Sequence, residues 1–222
     1  MRPTFSDVED GVSSITLNSW EDFHNVIAEE LLDYRDYIFR GQSSVRWKLD
    51  TTIDRAGNSS KGRALTEQEV SDHLRRFKYA VRGRLPRGFS EDLPDDFWWA
   101  LGQHFGLATP LLDWTESPYV AAYFAFADVN KREEGEDESR VVWGLSREAV
   151  EEKNGELGPS DDRLEIFSPL RGENARLVNQ RGLFSRVPIG HTVEEWVRKH
   201  FKGEMSSVIV FSIVIPNGDS DR

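Results

Sequence analysis

Apolar residues recur at helical spacing in several stretches, each opened by a recognisable start signal. Phe23, Val26, Ile27 and Leu31 follow Ser19-Trp20-Glu21-Asp22, which places acids at the positive end of a helix dipole. Val70, Leu74, Phe77 and Val81 follow Thr66-Glu67-Gln68-Glu69, a capping box in form. A further helix is predicted from Asp95 to Phe105, closing on Gly106. Ser117 and Pro118 suit the cap and first position of an Ala-rich helix over Tyr119–Asp128. Thr192–Phe201 reads as a short helix with Trp196 inward.

Between these lie runs that predict strands: Ser14–Leu17, Tyr37–Gly41, Thr109–Leu112, Arg140–Leu145, Leu164–Phe167, Gly182–Val187 and the β-branched Ser207–Ile215. Gln42–Lys61 is polar and loop-like, with Trp47 and Leu49 as expected anchors, and Lys131–Glu138 reads as an acidic, solvated connector. Strands and helices mix without strict alternation. The expected fold is α+β: a single domain over residues 1–222 with its core at about 14–216, and a mixed or antiparallel sheet flanked by helices.

Composition narrows the chemistry. The 222 residues carry 28 Lys and Arg against 39 Asp and Glu, a net charge of −11, which argues against a general phosphate-coating surface. The absence of cysteine excludes disulfides, thiolate metal sites and a thiol nucleophile. No apolar run approaches the ~20 residues of a membrane span, and Met1–Asp10 lacks the apolar core of a leader, so a soluble cytoplasmic protein is expected. Neither a GxGxxG nor a GxxxxGK[ST] motif is present, nor a GxSxG or an HExxH. The five histidines are scattered, and no metal site is expected.

Three segments stand out. Phe39-Arg40-Gly41-Gln42 ends a strand on an Arg followed by Gly, which can present a guanidinium fork to an anion or form an internal salt bridge. The run Gly102–Pro118 gathers Gln103, His104, Asp113, Thr115 and Ser117 beside Trp114 and a helix start, a place for an anion or for simple capping. In Glu173–Phe184, Gln180 could offer its amide to a ligand or to buried backbone. Separately, Arg75, Arg76, Lys78, Arg82, Arg84 and Arg87 form a locally basic stretch, either a solvated helix face or a nucleic-acid contact.

Together these residues resemble the FRG-domain family of bacteria and phages. The likeness rests on Phe39-Arg40-Gly41-Gln42 with Trp47 and Leu49, on Gln103-His104-Phe105-Gly106 with Thr109, and on Leu111-Leu112-Asp113-Trp114-Thr115. The helix from Ser117-Pro118 to Ala125, and Arg176, Gln180, Gly182 and Phe184, extend it over about residues 19–215. Pro110 departs from the basic residue usual at that place in the family.

The resemblance implies an ADP-ribosyltransferase-like layout and an NAD-using activity on a macromolecular target in a bacterial or phage conflict system. On that layout Arg40, His104, Asp113, Thr115 and Gln180 would be catalytic. Arg40, Gln42, Trp114, Ser117 and Tyr119 would hold the NAD, Arg40 on a phosphate and Trp114 or Tyr119 on the nicotinamide. Gln180 stands where those enzymes carry a catalytic Glu, and an amide cannot replace a carboxylate as base. The competing expectation is a non-catalytic module that binds a nucleotide or other small anion, a nucleic acid or a protein.

Overall fold

Seven helices and seven strands are interspersed along the described residues of the computed structural model, namely 2–29, 31, 34–84, 93–127, 139–168 and 183–216. In chain order they are β1 (Val12–Thr16), α1 (Trp20–Glu29), β2 (Tyr37–Gln42), α2 (Thr52–Lys61), α3 (Glu67–Val81), α4 (Asp95–His104) and β3 (Leu112–Trp114). Then follow α5 (Pro118–Ala127), β4 (Ser139–Ser146), α6 (Arg147–Glu156), β5 (Glu165–Phe167), β6 (Leu183–Arg186), α7 (Val193–His200) and β7 (Val210–Pro216). The fold is α+β. Its strands form a four-stranded sheet in the order β1-β7-β4-β2 and a three-stranded sheet in the order β3-β6-β5.

The described residues gather into two units. One comprises Met1–Leu49, Trp114–Asp161 and Val193–Arg222; the other comprises Asp50–Asp113 and Asp162–Thr192. The first unit holds the four-stranded sheet, which is mixed: β1 runs parallel to β7, while β7–β4 and β4–β2 are antiparallel. One face of this sheet supplies Phe39, Val142, Phe211, Ile213 and Ile215 to a core shared with Phe23, Val26 and Ile27 of α1 and Ala121 and Ala122 of α5. Full burial of such side chains stabilises by roughly 2–3 kcal/mol each. The tip of the Phe211 ring lies against Gly144, where an added Cβ would come within 2.2 Å of Cζ, so this strand position requires a residue without a side chain.

The second unit is built on α2, α3 and α4. Its core contains Ile53, Val70, Leu74, Phe97, Trp98, Trp99, Leu101, Leu111 and Phe184. The expected capping box is present: the Thr66 hydroxyl accepts from the Glu69 amide, and the Glu69 carboxylate accepts from the Thr66 amide at 2.8 Å. Arg63 and Lys61 also donate to Glu69, which holds its carboxyl well below the usual range.

Three expectations need correction. Part of the presumed loop Gln42–Lys61 is α2, begun by a Thr51 cap and closed by Gly62 at φ 66°. Its apolar signal is faint because only Ile53, Asp54 and Gly57 are buried. The strand expected at Thr109–Leu112 lies later, at Leu112–Trp114. Leu49 is buried as an anchor, but Trp47 is exposed. The acidic connector Lys131–Glu138 lies outside the described residues.

Candidate functional site

Strand alternation divides the Phe39–Gln42 segment between two faces of its sheet. Phe39 joins the core beneath α5, and Gly41 lies on the same side. A Cβ on Gly41 would stand 1.8 Å from the Ala121 carbonyl oxygen and 2.7 Å from the Ala125 nitrogen. The glycine of the motif is therefore the place where helix and strand come closest. Arg40 and Gln42 belong to the opposite face, where Arg40 is paired in register with Trp143 of β4.

Gln42 is buried and both ends of its amide are engaged. Its nitrogen donates to the Lys48 carbonyl at 3.1 Å, and its oxygen accepts from the Trp143 indole at 2.8 Å. At the start of the strand the Tyr37 hydroxyl donates to the Val208 carbonyl at 2.8 Å; burial, then the charge of Asp36, pushes its pKa up.

Thr115 meets this strand through its backbone. The Phe39 amide donates to the Thr115 carbonyl at 2.7 Å, and the Thr115 amide donates to the Phe39 carbonyl at 2.8 Å. The Arg-bearing segment and the Asp113-Trp114-Thr115 segment are thus joined across 76 positions of sequence. The remaining polar groups here start α5. The Thr115 hydroxyl accepts from the Ser117 amide at 3.2 Å, and the Ser117 hydroxyl accepts from the Val120 amide at 3.3 Å. Tyr119 lies on the α5 side, with its hydroxyl 2.9 Å from His24 Nδ1 and its ring edge-on to Phe23. Trp114 is buried, so its ring faces are covered by protein.

In the other unit Gln103 bridges two partners. Its amide nitrogen donates to the Asp113 carboxylate at 2.5 Å, and its oxygen accepts from the buried Thr109 hydroxyl. Thr109 and Thr52 add a reciprocal pair: the Thr109 amide donates to the Thr52 hydroxyl at 2.8 Å, which donates to the Thr109 carbonyl at 3.1 Å. His104 is exposed, its ring edge-on to Phe105. Gln180, Arg176 and Arg87 lie outside the described residues.

Of the predicted set, then, Thr115, Ser117 and Tyr119 cluster at the start of α5, Arg40 and Gln42 share the other sheet face, and Gln103 ties down Asp113. In the basic stretch of α3, Arg75 pairs with Asp72, and Lys78 pairs with Asp95 while standing 5.6 Å over the Trp98 ring. Among the described residues no three His, Asp or Glu side chains gather as a metal site, and no helix is long and apolar enough to cross a membrane.

One feature was missed by reading the motifs alone. Ala121, Ala122 and Ala125 turn α5 toward the sheet, and the rest of the helix, which has no charged residue, presents Tyr119, Val120, Tyr123 and Phe124 outward. Tyr123 is 68% exposed and Phe124 is 60% exposed. The signal was available in Pro118–Ala127: small residues occupy one side of the helical wheel, and large apolar residues occupy the side that a solvated helix would fill with charge.

A family model, that of the FRG domain, matches residues 35–134. The match takes in Phe39–Gln42 and the whole run from Gln103 to Ala125, which supports the family resemblance. No curated protein and no solved structure matches the chain.

Proposed function

We propose that this chain, whose residues 35–134 match the FRG domain, acts as a docking module that engages a protein partner through α5. The observation that carries this is the exposed face of Tyr119, Val120, Tyr123 and Phe124 on a helix without charge. A contiguous apolar patch on a chain of net charge −11 is the mark of an interaction surface. The helix is held rigidly from below by the close Gly41 approach and the Ser117 cap, so little ordering would be lost on docking.

The test places a photo-crosslinking p-benzoylphenylalanine at Tyr123 of the full chain in cells, with the same group at exposed Glu152 of α6 as the control. The expected result is a protein adduct from position 123 above the level at 152. Equal, background adduct formation at both positions would overturn the reading.

A second reading retains the NAD-using, ADP-ribosyltransferase-like chemistry that the resemblance implies. It is favoured by the Phe39–Thr115 pairing, which brings the Arg-bearing strand against the segment that starts α5. In it Arg40 would hold a phosphate of NAD on its own face of the sheet, a carboxylate would be needed in place of Gln180, and Tyr119, on the α5 side, would not reach the same ligand. Nicotinamide release from NAD that is lost in Arg40→Ala would support it. No release and no thermal shift with NAD would end it.

A further inference from the structure

The net charge of −11 is unevenly distributed. Residues Met1–Leu49, Trp114–Asp161 and Val193–Arg222 carry 14 Lys and Arg against 26 Asp and Glu, a net of −12. The unit of Asp50–Asp113 and Asp162–Thr192 carries 14 against 13, a net of +1. The acidity that disfavours a polyanion thus belongs to the first unit and not to the second. Within the second unit, α3 begins with both signs, at Glu67, Glu69 and Asp72. From His73 to Arg84 there is no acid, and Arg75, Arg76, Lys78, Arg82 and Arg84 are all cationic.

Burial sorts this stretch by side. Val70 and Leu74 are buried, and Phe77 and Val81 pack against the same core. Arg75, Arg76, Arg82 and Arg84 are exposed, and Arg76 and Arg84 have no carboxylate partner among the described residues. Arg75 pairs with Asp72 at the surface, where such pairs contribute little and yield readily to another anion. Tyr79 stands among these cations and is 65% exposed. Arg75 precedes it by four positions and Arg76 by three, so the three share one side of the helix. Among the described residues the Tyr79 ring meets no other ring, and its hydroxyl has no hydrogen-bond partner.

A solvated helix face intersperses both charge signs and needs no bare aromatic ring. Cations of one sign along a helix, with an open ring between them, match what a nucleic-acid strand requires: charge for its phosphates and a flat surface for a base. The bases of a duplex are already stacked on one another, so the ring favours a single strand. We propose that the outer side of α3 and the turn after it bind single-stranded nucleic acid, with Arg75, Arg76, Arg82 and Arg84 on the phosphates and Tyr79 under a base. This surface involves no residue of α5 and does not rest on the docking reading.

Fluorescence anisotropy of the full chain with labelled oligouridylate and oligothymidylate of about 16 nucleotides tests it, with circular dichroism as the check that variants fold. Four phosphate contacts predict a slope of about −2.8 in log affinity against log salt, a loss of about fiftyfold between 50 and 200 mM. Arg76→Ala with Arg84→Ala should halve that slope. Tyr79→Ala should weaken binding about tenfold at every salt concentration, and Tyr79→Phe should retain it. Binding of either oligonucleotide in this manner supports the proposal, and the tighter of the two shows whether RNA or DNA is preferred. No binding at 50 mM salt overturns it, as does binding that none of these variants changes. Tighter binding of a duplex overturns the single-strand assignment. Equal binding of polyglutamate, with Tyr79→Ala neutral, overturns it in favour of an acidic protein. If the double arginine variant does not fold, the contrast between Tyr79→Ala and Tyr79→Phe decides.

Discussion

Gly41 lies so close to Ala121 that a Cβ on the strand residue would fall 1.8 Å from the helix carbonyl oxygen. The third residue of the Phe-Arg-Gly motif thus serves packing: it lets α5 rest on β2, with Phe39 beside it in the same core. Gly41→Ala should destabilise the chain by about 3 kcal/mol, because helix and strand backbones must part to admit the methyl group. Urea unfolding with a fitted midpoint measures this. A loss below about 1 kcal/mol, the low end of overpacking costs, would mean that the close approach is not maintained in solution.

The same sheet buries an amide with both ends engaged. Trp143→Phe removes the indole donor and leaves the Gln42 oxygen buried without that partner, so a cost of about 2 kcal/mol is expected. Adding Gln42→Met, which removes the stranded polar group, should recover part of this loss. A double-mutant cycle on unfolding free energies checks it; strict additivity would show that the two side chains do not interact.

In the other unit, Gln103 bridges the buried Thr109 hydroxyl and the Asp113 carboxylate. Gln103→Ala should therefore cost about 1–2 kcal/mol of stability. Crosslinking from position 123 should be unchanged at a temperature where the variant is folded. Thermal unfolding and the crosslink yield, read together, separate the two effects.

Much of this architecture was legible in the sequence where local chemistry and burial agree. The Thr66–Glu69 capping box, the Ser117-Pro118 start of α5 and the β-branched strand near the C-terminus are each specified by their own residues. What escaped was local structure maintained by a few distant contacts. α2 contains Gly57, Asn58, Ser59 and Ser60, all poor helix formers, and is held by Ile53, Asp54 and its two caps. In α6 only Val150 is buried, so no apolar stripe announces the helix.

The site was legible by composition but not by orientation. The motif residues are present, yet alternation along β2 separates Arg40 and Gln42 from the α5 side, a relation fixed only once the strand is paired. Conversely, the uncharged outer side of α5 could be read from Pro118–Ala127, but its exposure depends on which side the alanines bury.

Tyr37 supplies a pH dependence. Its folded-state pKa lies above 10, chiefly because burial penalises the phenolate. The folded chain therefore keeps this proton where the unfolded chain releases it. The associated stability is complete below about pH 10 and is lost as pH rises through the raised value. Tyr37→Phe should flatten the fall in stability above pH 10, as measured by urea midpoints from pH 8 to 11. An unchanged slope would show that Tyr37 titrates normally.

The docking face is tested most directly by oxidative footprinting of two tyrosines that begin alike. Tyr123 on α5 is 68% exposed, and Tyr79 on α3 is 65% exposed. In dilute purified chain, hydroxyl radicals should modify both at similar rates. In nuclease-treated lysate of its own cells, where the partner is present, Tyr123 should become several-fold protected while Tyr79 stays reactive. Equal reactivity of Tyr123 and Tyr79 under both conditions would contradict the account.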